Sequence, residues 1–131
     1  MDSTDTVEAF KIIAAKVFAR CYAEFPIRQK FNLEDFTDKG RGSRDEDTFT
    51  GTMEWLVLHK WISTAGQQSC GPYYSGVQLT EKALVALGWT PGPLRFARRP
   101  SIGERLVAAA GRGALEAAAG KLVLEALKMA M

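Results

Sequence analysis

The chain has one histidine, two cysteines and five prolines among 131 residues, and each scarcity excludes something. His59 stands alone, and Cys21 and Cys70 have no second Cys or His close by, so no zinc-ligand spacing and no nucleophile–base motif is present. Cys21 falls in a helical pattern and Cys70 in a Gly/Ser loop. They read as two free thiols in a reducing compartment, not as a disulfide framework. Long hydrophobic runs are also missing. The longest uncharged stretch, Trp61 to Thr80, is full of Gly, Ser, Gln and Thr, which argues against a membrane span. Met1-Asp2-Ser3-Thr4-Asp5 is acidic where a secretory signal is basic, and no apolar segment follows it. Gly40-Arg41-Gly42-Ser43 lacks the lysine of a phosphate-cradling loop. The expectation is a cytoplasmic, non-enzymatic chain with no cofactor and no metal.

What is present is ordinary for a globular chain: 47% hydrophobic, 24% charged and 10% aromatic residues, with a net charge of +2. The charge is unevenly placed. Residues 1–60 carry 9 Lys/Arg against 11 Asp/Glu, whereas residues 61–131 carry 8 against 4, so an anionic partner should meet the second half or local patches of the first. Val7, Phe10, Ile13, Ala14, Val17, Phe18 and Cys21 step by threes and fours, which predicts an amphipathic helix with one buried stripe, capped around Thr4-Asp5-Thr6 and ended by Pro26. Asn32 to Phe36 reads as one or two short helical turns, and Thr37 to Asp47 as a polar loop. A second helix starts near Asp45-Glu46-Asp47, buries Phe49, Met53, Leu56 and Val57, and ends near His59-Lys60. Two β-prone stretches, 61–64 and 73–79, flank a turn-rich loop. Thr80 then caps a short helix stopped by Gly88, and Thr90-Pro91-Gly92-Pro93 cannot be helical.

The motif Val77-Gln78-Leu79-Thr80-Glu81-Lys82-Ala83-Leu84 resembles the wing exit of winged-helix regulators of the MarR-like and PadR-like groups, where a strand ending in Leu-Thr leads into Glu-Lys-Gly and a helix. Ala83 stands where that Gly is usual. Met53 to Ile62 is similar to the end of a recognition helix and the strand after it, with Lys60 where Gly is common. The resemblance is carried by residues 53–84. It implies a mainly α chain with a small β-hairpin and a winged helix-turn-helix domain over 1–88; composition adds a Pro/Arg linker over 89–100 and an Ala/Gly-rich helical tail over 101–131. In that tail Ser101 and Glu104 form a capping-box pattern, and Gly111-Arg112-Gly113 should break or kink the helix.

DNA binding is the activity this resemblance implies. Its candidates are Lys39, Arg41 and Arg44 for phosphates, with Thr48, Thr50, Gln67 and Gln68 for base edges or backbone oxygens. Asp45, Glu46, Asp47 and Glu54 oppose it, and the wing tip has no Lys or Arg. Arg95, Arg98, Arg99 and Arg105 read as a charged linker, or as a set that follows a phosphate backbone or sits near an anionic membrane surface. Three readings of the tail stand in order. It is a dimerisation helix through Leu106, Ala110, Leu115, Ala118, Leu122 and Ala126; or it folds back over Trp89 or Phe96; or it lies on a membrane surface. Two functions follow. The first is a DNA-binding transcriptional regulator that oligomerises through its C-terminal helix. The alternative is an adaptor whose winged helix docks a protein and whose tail binds a partner or membrane surface.

Overall fold

Helix α1 (Ser3–Ala23) carries more buried surface than its single predicted stripe allows. The structure, a computed structural model, describes residues 3–35, 44–64, 73–88 and 101–129. Within them, Phe10, Ala14, Val17, Phe18 and Cys21 follow the expected stripe, and all but the half-buried Phe10 are fully buried. Phe10 meets Trp55 edge-on at 5.2 Å, and Phe18 meets Trp61 at 5.6 Å. Ala15, Ala19 and Tyr22 are buried too. They belong to a second stripe that also includes Glu8 and Lys11, and the C-terminal helices cover it. Val7, assigned to the core by periodicity, is 49% exposed in the first turns of the helix.

The described residues form a mainly helical α+β chain with a three-stranded antiparallel sheet in the order β1-β3-β2. Strand β1 (Gln29–Asn32) pairs with β3 (Tyr73–Leu79), with an irregularity between Gln29 and Phe31. Strand β2 (Ile62–Ser63) pairs with the other edge of β3, Ile62 opposite Leu79. The hairpin strands are where β-propensity put them. Strand β1 was not foreseen: four residues, only Phe31 strongly apolar, leave no periodicity to read, and the strand exists because β3 offers it an edge. A 3-10 turn at Leu33–Asp35 follows it, within the expected short helical segment.

Helix α2 (Arg44–Leu58) ends in a left-handed residue, Lys60, at φ 63°. The Trp61 amide donates to the Leu56 carbonyl at 2.8 Å and the Lys60 amide to Val57 at 3.1 Å, the paired bonds of a Schellman cap. Glycine suits this position because a Cβ crowds the backbone there. Lys60→Gly should therefore stabilise the chain. Relief of about 1–2 kcal/mol of left-handed strain exceeds about 0.5–1 kcal/mol lost to the freer unfolded glycine. A thermal midpoint raised by roughly 2–4 °C in calorimetry is expected, and an unchanged or lowered midpoint refutes it.

Helix α3 (Glu81–Ala86) opens on Thr80, whose hydroxyl accepts from the Ala83 amide at 3.2 Å and donates to the Lys60 carbonyl, joining the end of α2 to the start of α3. Gly88, at φ 79°, closes it. Ser101 and Glu104 form the expected capping box at the start of α4 (Ile102–Gly111). Gly113, at φ 71°, makes the expected break before α5 (Leu115–Met129).

The tail does not stand apart. Leu106, Leu115, Leu122 and Ala126 are buried in the same core as Phe18, Trp61 and Leu79, and α4 and α5 pack chiefly on α1 and on each other. The fold-back reading describes this packing, with α1 as its floor; Trp89 and Phe96 lie outside the described residues. The proposed boundary at 88/101 marks a linker in sequence, but the hydrophobic core is continuous across it.

Candidate interaction surfaces

Side-chain spacing on α2 separates a core face from an outward one. Phe49, Thr52, Met53 and Leu56 are buried, the Thr52 hydroxyl donating to the Thr48 carbonyl at 2.7 Å. Asp47, Gly51, Glu54 and Leu58, steps of four, three and four, are exposed, and Val57 beside them is 38% exposed. Leu58 is 73% exposed. Among the described residues this face holds two carboxylates, two aliphatic side chains and no cation; the stretch from 45 to 59 contains no Lys or Arg at all. Nothing would meet a Cβ added at Gly51. A helix-interior glycine costs about 1 kcal/mol relative to alanine, and no contact among the described residues requires it. Burial pushes the Tyr74 phenol above its ordinary range, and the Glu54 carboxylate adds to the shift.

Three of the DNA candidates fall within the described residues. Thr48 and Thr50 are half-buried on the flanks of α2, not on its outward face. Arg44 opens the helix. Lys39, Arg41, Gln67 and Gln68 lie outside the described residues. Of the aromatics, Trp61 and Tyr74 are core and Trp55 is half-buried, stacked on His59 at 4.2 Å. Lys82 reaches back to the His59 carbonyl at 2.9 Å and lies over the Trp61 ring. His59 thus sits at a helix end, with its backbone carbonyl occupied by Lys82.

The dimerisation candidates divide differently. Leu106, Leu115, Leu122 and Ala126 spend most of their surface inside the chain, Ala118 is half-buried, and Ala110 is exposed. An apolar stripe buried under its own α1 is not free for a second helix. At these four positions the sequence shows that a face is apolar, but not which surface covers it.

Beside that buried seam, α4 and α5 leave a groove of about 390 Å³. Ala109, Ala118 and Leu122 contribute to its floor, and Arg105, Arg112 and Lys121 line it. Arg105 crosses from α4 to Glu125 on α5 at 3.3 Å, fixing one end, while the Gly113 turn closes the other. Glu104 also lines the groove, but its carboxylate accepts from the Ser101 amide in the capping box. The reading of Arg105 as part of a linker set gives way to this: it is a helical residue bridging two helices. Sequence reasoning missed the groove because it arises from the antiparallel register of two helices; the signal available was the alternation of Ala with Arg112 and Lys121 across the Gly113 break.

Cys21 is fully buried on α1. Burial pushes its thiol up from an ordinary value near 9 to about 12, with nearby Arg20 pulling slightly the other way. Its stabilising contribution is complete below pH 9 and is lost as pH rises through the folded value near 12. Native Cys21 should therefore resist iodoacetamide at pH 8 and react once denaturant is added, as read by mass on its tryptic peptide. Modification of the native protein at the denatured rate refutes the burial.

Among the described residues no three His, Cys, Asp or Glu side chains come together as a metal site, and no helix is long and apolar enough to cross a membrane. Comparison of the chain with protein-family models, curated proteins and solved structures finds no match.

Proposed function

We propose that the chain is a protein-interaction module on a winged-helix-type scaffold, with the outward face of α2 as its docking surface. The scaffold part is supported by the run of α2, antiparallel hairpin β2/β3 and Thr80-capped α3, the order the resemblance implies. The observation that carries the function is the character of α2. A DNA-reading helix lies against phosphates and needs cations or neutral donors there. This one offers Asp47 and Glu54 beside Val57 and Leu58. Carboxylates repel a polyanion, whereas exposed aliphatic side chains rimmed by charge suit a protein partner.

Two measurements test the reading. Fluorescence anisotropy with mixed-sequence duplex DNA should show no salt-dependent binding up to about 10 μM protein; saturable binding that weakens with salt sinks it. A photo-crosslinking residue at Gly51 should form a protein adduct in the native host cell, and Glu54→Lys should abolish it. A control crosslinker at exposed Glu24 should not give the same product. Absence of any adduct specific to position 51 also counts against the reading.

A further inference from the structure

The α4–α5 groove and the α2 face are complementary in charge and in spacing. Asp47 and Glu54 are seven residues apart on one helix, and Arg105 on α4 is seven residues before Arg112, the C-cap of that helix. Seven residues are two turns, about 10 Å at 1.5 Å rise per residue, so the two pairs repeat at the same interval. Lys121 stands across the groove from α4. Neither Arg112 nor Lys121 makes an ion pair among the described residues. Gly51 falls midway between the two carboxylates, with open space above it, and the groove floor between the two arginines includes Ala109 and Ala118. A glycine facing alanines lets two helix backbones approach closely, while the flanking pairs set register and exclude like-charged partners.

We propose that the groove receives the α2 face of a second copy of this chain, Asp47 and Glu54 of one copy meeting Arg105, Arg112 and Lys121 of the next. The proposal rests on the reading of α2 as a docking surface and names its occupant. The contact is heterologous: each copy offers a face at one place and a groove at another, so successive copies form a closed ring or an open chain. It differs from self-association through the tail's apolar stripe, which is buried, and it makes the cations of the tail the specificity element.

Charge exchange tests it. Sedimentation velocity of the full chain at low salt should show a weight-average coefficient rising with concentration between about 10 and 300 μM, and this rise should fade as salt is raised to about 0.5 M. Glu54→Lys and Arg112→Glu should each weaken association at least about tenfold. Circular dichroism and thermal unfolding should stay as in the parent, since both side chains are exposed. Asp47→Lys and Lys121→Glu serve if either variant does not fold. An equimolar mixture of the two variants should associate more strongly than either variant alone, because one partner keeps an intact groove and the other an intact face. Three results overturn the proposal: a parent chain that stays monomeric throughout, association that persists in both variants, or a mixture that does not pair. A monomeric parent whose position-51 adduct still forms and is lost on Glu54→Lys leaves the docking reading standing with a different protein as the occupant. Loss of that adduct together with duplex binding ends both.

Discussion

A chain ending at Pro100 is expected to lose cooperative folding altogether. Removing α4 and α5 takes away Leu106, Leu115, Leu122 and Val123, all buried, along with Ala109, Ala119 and Ala126. Each large aliphatic side chain is worth about 1.5–3 kcal/mol on burial, so four of them account for roughly 6–12 kcal/mol. A domain of this size has about 5–15 kcal/mol of net stability. The loss is compounded on the other side of the interface, where Ala15, Ala19 and Tyr22 of α1 would face water. The truncated chain should show no sigmoidal urea transition by tryptophan fluorescence and should bind a dye for exposed apolar surface. A truncated chain that unfolds cooperatively with the parent's midpoint would show that residues 1–88 hold together without the tail.

The second large effect centres on one atom. Gly103 lies so close to the Tyr22 ring that an added Cβ would come within 2.2–2.6 Å of three ring atoms. The ring cannot step aside easily, because Tyr22 is buried and its hydroxyl is 3.1 Å from Ser101 Oγ. The Gly103 amide also donates to the Leu87 carbonyl at 2.9 Å, tying the start of α4 to the end of α3. Gly103→Ala should cost about 2–3 kcal/mol by overpacking, read as a lowered urea midpoint with an unchanged slope. Alanine is otherwise the better helix former by about 1 kcal/mol, so a neutral or stabilising outcome refutes the close approach. Coupling provides the control. In a Tyr22→Ala background the same substitution should cost much less, because the ring it strikes is gone.

Local features were legible where a residue's chemistry acts on its own neighbours. The Ser101–Glu104 capping box, the Thr80 cap, the two hairpin strands, and the ends at Gly88 and Gly113 all depend on hydrogen bonds or dihedral angles within a few residues. Strand β1 and the left-handed Lys60 were less accessible. The first needs β3 as a partner. The second places an ordinary side chain in a conformation that its identity disfavours, and tertiary packing of Leu56 and Trp61 holds it there.

The candidate surfaces show the same division. That α2 begins acidic can be read from Asp45-Glu46-Asp47, but that Asp47, Gly51, Glu54 and Leu58 are the side chains left in water depends on what covers the opposite face. The scarcity of histidine, the spacing of two cysteines and the absence of a long apolar run bounded what chemistry the sequence could suggest before any packing was known. The sequence by itself determined the helices, the Thr80 and Ser101 caps and the apolar character of the tail, because these follow from periodicity and local hydrogen bonding, whereas α1 already runs from Ser3, ahead of the cap expected at Thr4-Asp5-Thr6. Only the tertiary structure decided that the tail's stripe lies against α1 and that its cations line a groove. An apolar face is satisfied by any apolar surface of matching shape, and the choice among such surfaces is made by close contacts between distant residues, such as Gly103 under the ring of Tyr22.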